Sequence, residues 1–173
     1  MIQAEVCLDA LVEVLKRDLP SMIGLINSHT SGAIKLEKPK EVVGVYSERL
    51  EFPSLVVDWL ISERLEASDE PDLDYEDDEL DEANGDEMYL HSFEIDLAIT
   101  GDANQPVETR RAALRYIEAI RQVIKKAPKD DKIIGGKLST WEVGSPRPLE
   151  SGLHQRLTSL HVERVIIPVS ITV

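Results

Sequence analysis

The segment from Met88 to Thr100, MYLHSFEIDLAIT, constrains the fold more than any other part of the chain. Tyr89, His91, Phe93, Ile95, Leu97 and Ile99 fall on one side of an extended backbone. Leu90, Ser92, Glu94, Asp96 and Ala98 fall on the other. Successive side chains of a strand point to opposite faces, so this period of two predicts a strand with one buried and one half-exposed face. An apolar sheet face must be covered by another layer.

Two amphipathic segments can supply that layer. Residues 2–18 place Ile2, Val6, Leu8, Leu11, Val12 and Leu15 at helical spacing, with Glu5, Asp9, Glu13, Lys16 and Arg17 opposite. Pro20 is expected to interrupt the helix, with Ser21 capping a short turn of Met22, Ile23, Leu25 and Ile26 before a loop over Asn27–Gly32. Residues 107–126 form the second helix, with Val107, Ala113, Leu114, Ile117, Ile120, Val123 and Ile124 on one stripe. Arg111, Arg115, Glu118, Gln122 and Lys125 line another.

Further strands are expected at Val42–Tyr46, Pro53–Ile61, Leu138–Val143 and His161–Val173. The run PSLVVDWLI is almost continuously apolar, which predicts a central strand covered on both faces. Pro168 inside the last strand implies an edge position or a bulge. Lys129–Lys137 reads as a charged loop, and residues 144–157, with Pro146 and Pro148, as an extended loop or arm. The expectation is one α+β domain over residues 1–173: a mixed, mainly antiparallel sheet packed by two main helices, with a long acidic loop insert.

That insert is residues 66–87, EASDEPDLDYEDDELDEANGDE, with thirteen carboxylates and no Lys or Arg. It carries nearly all of the formal net charge of −14; without it the acids almost balance the 19 Lys plus Arg. Such a run cannot bury enough apolar surface to order itself and reads as a solvated loop. Calcium is excluded by register. An EF-hand loop starting at Asp72 has Asp77 where Gly is required and Ala83 where the closing Glu belongs, and a start at Asp74 fails in the same way.

Other chemistry is equally thin. Neither a GxxxxGK[ST] loop nor GxGxxG occurs, and there is no GxSxG. Cys7 is the single cysteine, on the apolar stripe of the first helix, so no internal disulfide forms and core filling is its expected role. His91 is expected to be buried or interfacial, while His29 and His154 fall in loops. His161 and Glu163 share a strand face, but one such pair falls short of a metal site, which takes three or four ligands. Arg110, Arg111, Arg115, Arg121, Lys125 and Lys126 make one helix face basic, but without interleaved aromatics for nucleic-acid stacking. That face reads as solvated, or as a dock for an acidic partner. No signal peptide and no uninterrupted apolar run of spanning length is present, so the expectation is a soluble protein made in the cytoplasm.

The chain resembles the tail terminator (tail completion) proteins of long-tailed bacteriophages. The resemblance rests on IQAEVCLDALVEVLKRDLPSMIGLINS, FPSLVVDW, HSFEIDLAITGD, RRAALRYIEAIRQVI and HVERVIIPVSITV, taken in that order. The acidic insert and the Pro-containing arm depart from the family pattern. The resemblance implies a virion protein without enzymatic activity, cofactor or metal. It would form a homohexameric ring at the head-proximal end of the tail tube, stop tube polymerisation and join the tube protein to a head-side connector or stopper. Viral DNA would pass through the lumen without specific binding, and no membrane is involved.

Within that reading, Arg111, Arg115, Lys125, Glu94 and Asp96 are candidates for an intersubunit or partner surface. Asp74, Glu76, Asp77, Asp78 and Glu79 are candidates for an acidic lumen or docking loop. The alternatives are another head-completion or tail-assembly protein, or an acidic DNA-mimic binding module.

Overall fold

The structure, a computed structural model, describes residues 3–30, 35–44, 51–65, 88–130, 133–134, 137–153 and 159–173. Helix α1 spans Gln3–His29 and helix α2 Pro106–Asp130. The strands are β1 (Glu41–Val43), β2 (Ser54–Leu65), β3 (Met88–Asp102), β4 (Ile133–Ile134), β5 (Lys137–Leu138), β6 (Thr140–Val143), β7 (Arg147–Leu153) and β8 (Leu160–Thr172). The fold is α+β: two helices packed against a mixed, mostly antiparallel sheet.

The sheet runs β1-β2-β3-β8-β6, with β7 also paired to β8. Only the β1–β2 pair is parallel. The alternation in β3 sets its layers. Ile95 lies opposite Val57 and Ile167, Leu97 opposite Leu55 and Val165, and Phe93 opposite Val169. These side chains are buried on the face the helices cover, together with Leu11, Leu15 and Leu19 of α1 and Tyr116, Ile120 and Ile124 of α2. Ala113, Ala119 and Ala127 of α2 are buried as well, small enough to let that helix lie close to its neighbours. Cys7 is fully buried, as its place on the helical stripe implied.

Several expectations change. Pro20 does not interrupt α1, which continues to His29. A proline here forfeits a single backbone bond. The apolar stripe runs on through Leu19, Met22 and Ile23, all buried, and this packing outweighs the local break. Asn27 to His29 are therefore helical rather than loop; the Asn27 amide brackets Leu36, accepting from its N–H at 2.8 Å and donating to its carbonyl at 2.9 Å. Ser31 and Gly32 lie outside the described residues, as do Val45 and Tyr46 of the first expected strand. Helix α2 extends through Lys129 to Asp130, and β4 and β5 pair within what had read as loop.

The 144–157 arm is largely a strand. Residues Arg147–Leu153 pair antiparallel with β8, and residues 154–158 lie outside the described residues. β6 and β7 share one edge of β8, broken around Gly144–Pro146. Pro168 sits opposite this break, and its carbonyl accepts from the Gly144 N–H at 2.9 Å. A strand residue directs its N and its carbonyl to the same side, so the missing donor of Pro168 faces the interruption. The strand is interior; irregularity beside Pro168, not an edge position, accommodates it.

β2 also departs from expectation. Ser54–Val57 are buried, but every residue from Asp58 to Leu65 is exposed. A register shift between Trp59 and Ile61 falls where the apolar run leaves the core. Beyond that point β2 pairs with β3 as a hairpin whose last rung is Leu65–Met88, while β3 pairs on its other side with β8 as far as Tyr89–Val173. The acidic insert is the connection of this hairpin and lies outside the described residues, including Asp74, Glu76, Asp77, Asp78 and Glu79.

Candidate assembly surface

The hairpin arm is the most unusual surface of the molecule. Trp59, Leu60, Ile61 and Met88 are each about half exposed, at 48–52%, and Leu65 adds to the same projection. Cross-strand register places Ile61, Glu63 and Leu65 on the face of Ser92, Leu90 and Met88, away from the helices. Single apolar residues are ordinary on a surface, but several on one hairpin make it the candidate for a contact surface: Ile61, Leu65 and Met88 on the outer face, and Trp59 on the face of Phe93.

At the base of the arm, the Trp59 indole N–H donates to Ser62 Oγ at 3.2 Å, and Ser62 Oγ lies 2.6 Å from His91 Nδ1. His91 is buried, as expected, and its ring stacks on Tyr89. Burial holds the imidazole below its ordinary pKa of 6.5, because a charged ring would lose its water there. The Ser62 hydroxyl and Nδ1 of the neutral ring share a hydrogen bond whose direction follows the tautomer, and the chain from Trp59 ties the exposed strand to the buried one.

The outer face of the sheet, opposite the helices, is organised by charge. Asp96 is engaged by the Arg164 guanidinium, with a second contact from Nε at 3.4 Å, and Arg164 also stands 3.8 Å from Glu150. Glu94 is engaged by Arg147. Arg147 and Glu150 belong to β7, Arg164 to β8, and Glu94 and Asp96 to β3, so the pairs reach across three strands. Val56, Leu149 and Ile166 floor a concavity of about 320 Å³ among these charges. Glu94 and Asp96 do share one face as their spacing implied, but arginines of the same chain occupy them. Those partners come from 53 and 68 residues away and could not be read from local spacing.

Arg111, Arg115 and Lys125 lie on α2, on the helical layer and not beside Glu94 and Asp96. Arg111 pairs with Glu108 at 2.6 Å, Arg115 Nε donates to the Arg111 carbonyl at 3.3 Å, and Lys125 is exposed. Val107 and Leu114 stand exposed on the same helix, although the helical stripe had placed them with the core.

A third cluster is buried. His161 Nε2 lies 2.8 Å from Glu163 Oε1, and Ser151 Oγ donates to the same oxygen at 2.6 Å. The i, i+2 spacing of His161 and Glu163 predicted their shared face; Ser151 arrives only through the pairing of β7 with β8. The carboxylate is the hub here. A nucleophilic relay instead requires the imidazole between acid and hydroxyl. Among the described residues no group of three or more His, Cys, Asp or Glu is placed to hold a metal ion, and no helix is long and apolar enough to cross a membrane. His29 ends α1, and His154 lies outside the described residues.

No protein-family model and no curated protein matches the chain.

The arrangement is thus one of surfaces. It offers exposed apolar side chains on the β2–β3 hairpin, an ion-paired sheet face that continues onto the outer side of that hairpin, and a basic helix face on the helical layer.

Proposed function

We propose that this chain is the subunit of a homohexameric ring of the phage tail-terminator type. In this role it caps the head-proximal end of a tail tube, stops tube polymerisation, contacts a head-side connector or stopper on its other rim, and lets DNA pass through its lumen. The observation that carries the reading is the β2–β3 hairpin, in which two thirds of β2, from Asp58 to Leu65, is exposed together with its apolar side chains. A chain that functions alone gains nothing from such an arm, whereas a ring closed by heterologous contacts needs two unlike surfaces on each copy. The exposed hairpin at one end of the strand order and the ion-paired β7 at the other offer two unlike surfaces. The order of sequence elements described above supports the same assignment.

Native mass spectrometry and negative-stain microscopy of the purified protein test the proposal, with and without purified tail tubes. The expected result is a six-membered ring with a central hole wide enough for a duplex, formed in solution or on tube ends. A chain that stays monomeric in both conditions overturns it. Retained monomer with tight binding to a basic partner, abolished by deleting residues 66–87, would instead favour a DNA-mimic module.

A further inference from the structure

The two layers of the fold present outward surfaces of opposite charge. On the helical layer, Val107, Arg111, Leu114, Glu118, Arg121 and Lys125 recur at spacings of three and four, so they line one side of α2, and all are exposed. Arg110 flanks them and is exposed as well. Glu118 is the one carboxylate of that stripe, and it accepts from Gln122 Nε2 at 2.7 Å. Among the described residues Arg110, Arg121 and Lys125 form no ion pair. Val107 and Leu114, each 61% exposed, place apolar area between the cations.

The outer face of the sheet has the complementary character. Asp58 lies opposite Glu94, Glu63 opposite Leu90 and Glu142 opposite Ser170, so all three acids point away from the helices. Like charges directly opposite each other, such as Asp58 and Glu94, are unfavourable in a sheet unless a cation neutralises them. Arg147 and Arg164 also lie on this face, but Glu94, Asp96 and Glu150 already engage them. Asp58, Glu63 and Glu142 form no ion pair among the described residues. Ile61, Met88 and Leu149 stand about half exposed among the acids.

We infer that the α2 stripe of one copy docks on the outer sheet face of the next, cations against the unpaired acids and Val107 and Leu114 against the exposed apolar side chains. This inference rests on the ring reading above and names its subunit contact. A second copy is the occupant because the complement of each surface is carried by the same chain, on its opposite layer. Stacking one copy on the next satisfies one helix stripe and one sheet face and leaves one of each open, which is head-to-tail addition that ends only where the rotation closes. The extents agree. Val107 to Lys125 spans about 27 Å at 1.5 Å per residue, and Asp58 to Leu65 about 23 Å at 3.3 Å per residue. Exposed ion pairs contribute little singly, so the charges select the partner and its orientation while apolar contact holds it.

Charge exchange tests this, read by native mass spectrometry and sedimentation at graded protein concentration with negative-stain microscopy, with and without purified tail tubes. Arg121→Glu with Lys125→Glu should raise the concentration at half-assembly by at least about tenfold, and so should Asp58→Lys with Glu63→Lys. All four changes in one chain exchange the signs, and assembly should return to within about threefold of wild type. Circular dichroism checks each fold. Should a reversed set misfold, Arg121→Gln with Lys125→Gln and Asp58→Asn with Glu63→Gln should each weaken assembly in the same direction. Rings that form unchanged in both reversed sets would overturn the inference and leave the ring reading intact, and failure of the four-fold variant to recover would overturn it too. Assembly lost on deleting residues 66–87 but indifferent to the Asp58 and Glu63 changes would assign the α2 stripe to the acidic segment instead and overturn it equally. Oligomers that obey the exchange without closing into rings would support the contact and remove the ring reading. A wild-type chain that stays monomeric with and without tubes removes both.

Discussion

Two glycine-to-alanine substitutions should change stability in opposite directions, for reasons visible in the packing. Gly24 lies inside α1, and a Cβ built there meets nothing within 4 Å. Glycine in a helix interior costs about 0.8–1 kcal/mol relative to alanine, so Gly24→Ala should stabilise by up to that amount. Gly101 lies near the end of β3, against the first turn of α2. A Cβ there would stand 2.1 Å from Thr109 Oγ1, 3.1 Å from its Cβ and 3.2 Å from its Cγ2. Turning the Thr109 side chain removes the closest contact but not the one to Cβ, which is fixed to the helix backbone. It also sacrifices the Thr109 hydroxyl bond to the Gln105 carbonyl. Overpacking of this kind costs about 1–3 kcal/mol. In a chain of this length each kcal/mol moves the midpoint of thermal unfolding by about 2–4 °C. Urea unfolding followed by circular dichroism, with thermal scans beside it, reads both signs. Thr109→Ala removes two of the three contacts, so Gly101→Ala should cost at least about 1 kcal/mol less in that background. A Gly101→Ala variant as stable as wild type, or equally destabilised with and without the Thr109 side chain, would refute the packing argument.

Replacing Arg164 by Met withdraws the cation from Asp96, whose side chain is only 14% exposed, and should destabilise by about 1–3 kcal/mol in urea unfolding. Arg147→Met, at a guanidinium 63% exposed, should cost less than about 1 kcal/mol. The Tyr116 hydroxyl donates to the Glu37 carbonyl at 2.5 Å, and burial pushes the phenol well above its ordinary pKa of 10. Tyr116→Phe should cost about 1 kcal/mol. In alkaline absorbance titration one of the four tyrosines should resist ionisation, with stability falling as pH rises past 10, because the unfolded chain loses that proton first. For His91 the sign is reversed. Its pKa is depressed, so the unfolded chain takes up the proton more readily and stability should fall as pH drops below 6.5. Proton NMR titration of the imidazole and the flatter acid limb of a His91→Phe variant check this.

The clarity of each element in the sequence tracks how local its cause is. β3 was legible because a period of two needs only the strand itself, and the inner face it implied is the core. α2 was legible for the same reason at a period of 3.6, although its exposed Val107 and Leu114 show that an apolar residue on a stripe is not always a buried one. Pro20 misled because local propensity was weighed without the packing of Leu19, Met22 and Ile23. β7 was hidden because RPLESGL has loop composition; its strand character comes from pairing with β8, from Leu153 opposite His161 to Arg147 opposite Ile166. The long apolar run of β2 suggested burial on both faces, yet periodicity cannot distinguish a run that enters a core from one that leaves it. The ion pairs of Glu94 and Asp96 depend on the fold, so the sequence supplied only one half of each.

Those ion pairs bear on assembly more than on stability. Partly buried pairs offset their desolvation only with good geometry, and their clearer effect is to fix one arrangement over others. Here Glu150 ties β7 to Arg164 of the adjacent β8, and Arg147 reaches past β8 to Glu94 of β3. The β7 edge is thereby held by a backbone ladder and by charge. Beyond Val56 β2 pairs with β3, and the Trp59–Ser62–His91 chain ties the two strands together. The two sides of the sheet are thus held by different contacts and present unlike surfaces. Two like surfaces would favour a closed pair of copies, whereas two unlike ones favour head-to-tail addition that ends only when the rotation closes. On that argument, loosening β7 through Arg164→Met should broaden the distribution of ring sizes before it abolishes assembly. A uniform ring population in that variant would show that the charges serve the subunit and not the ring.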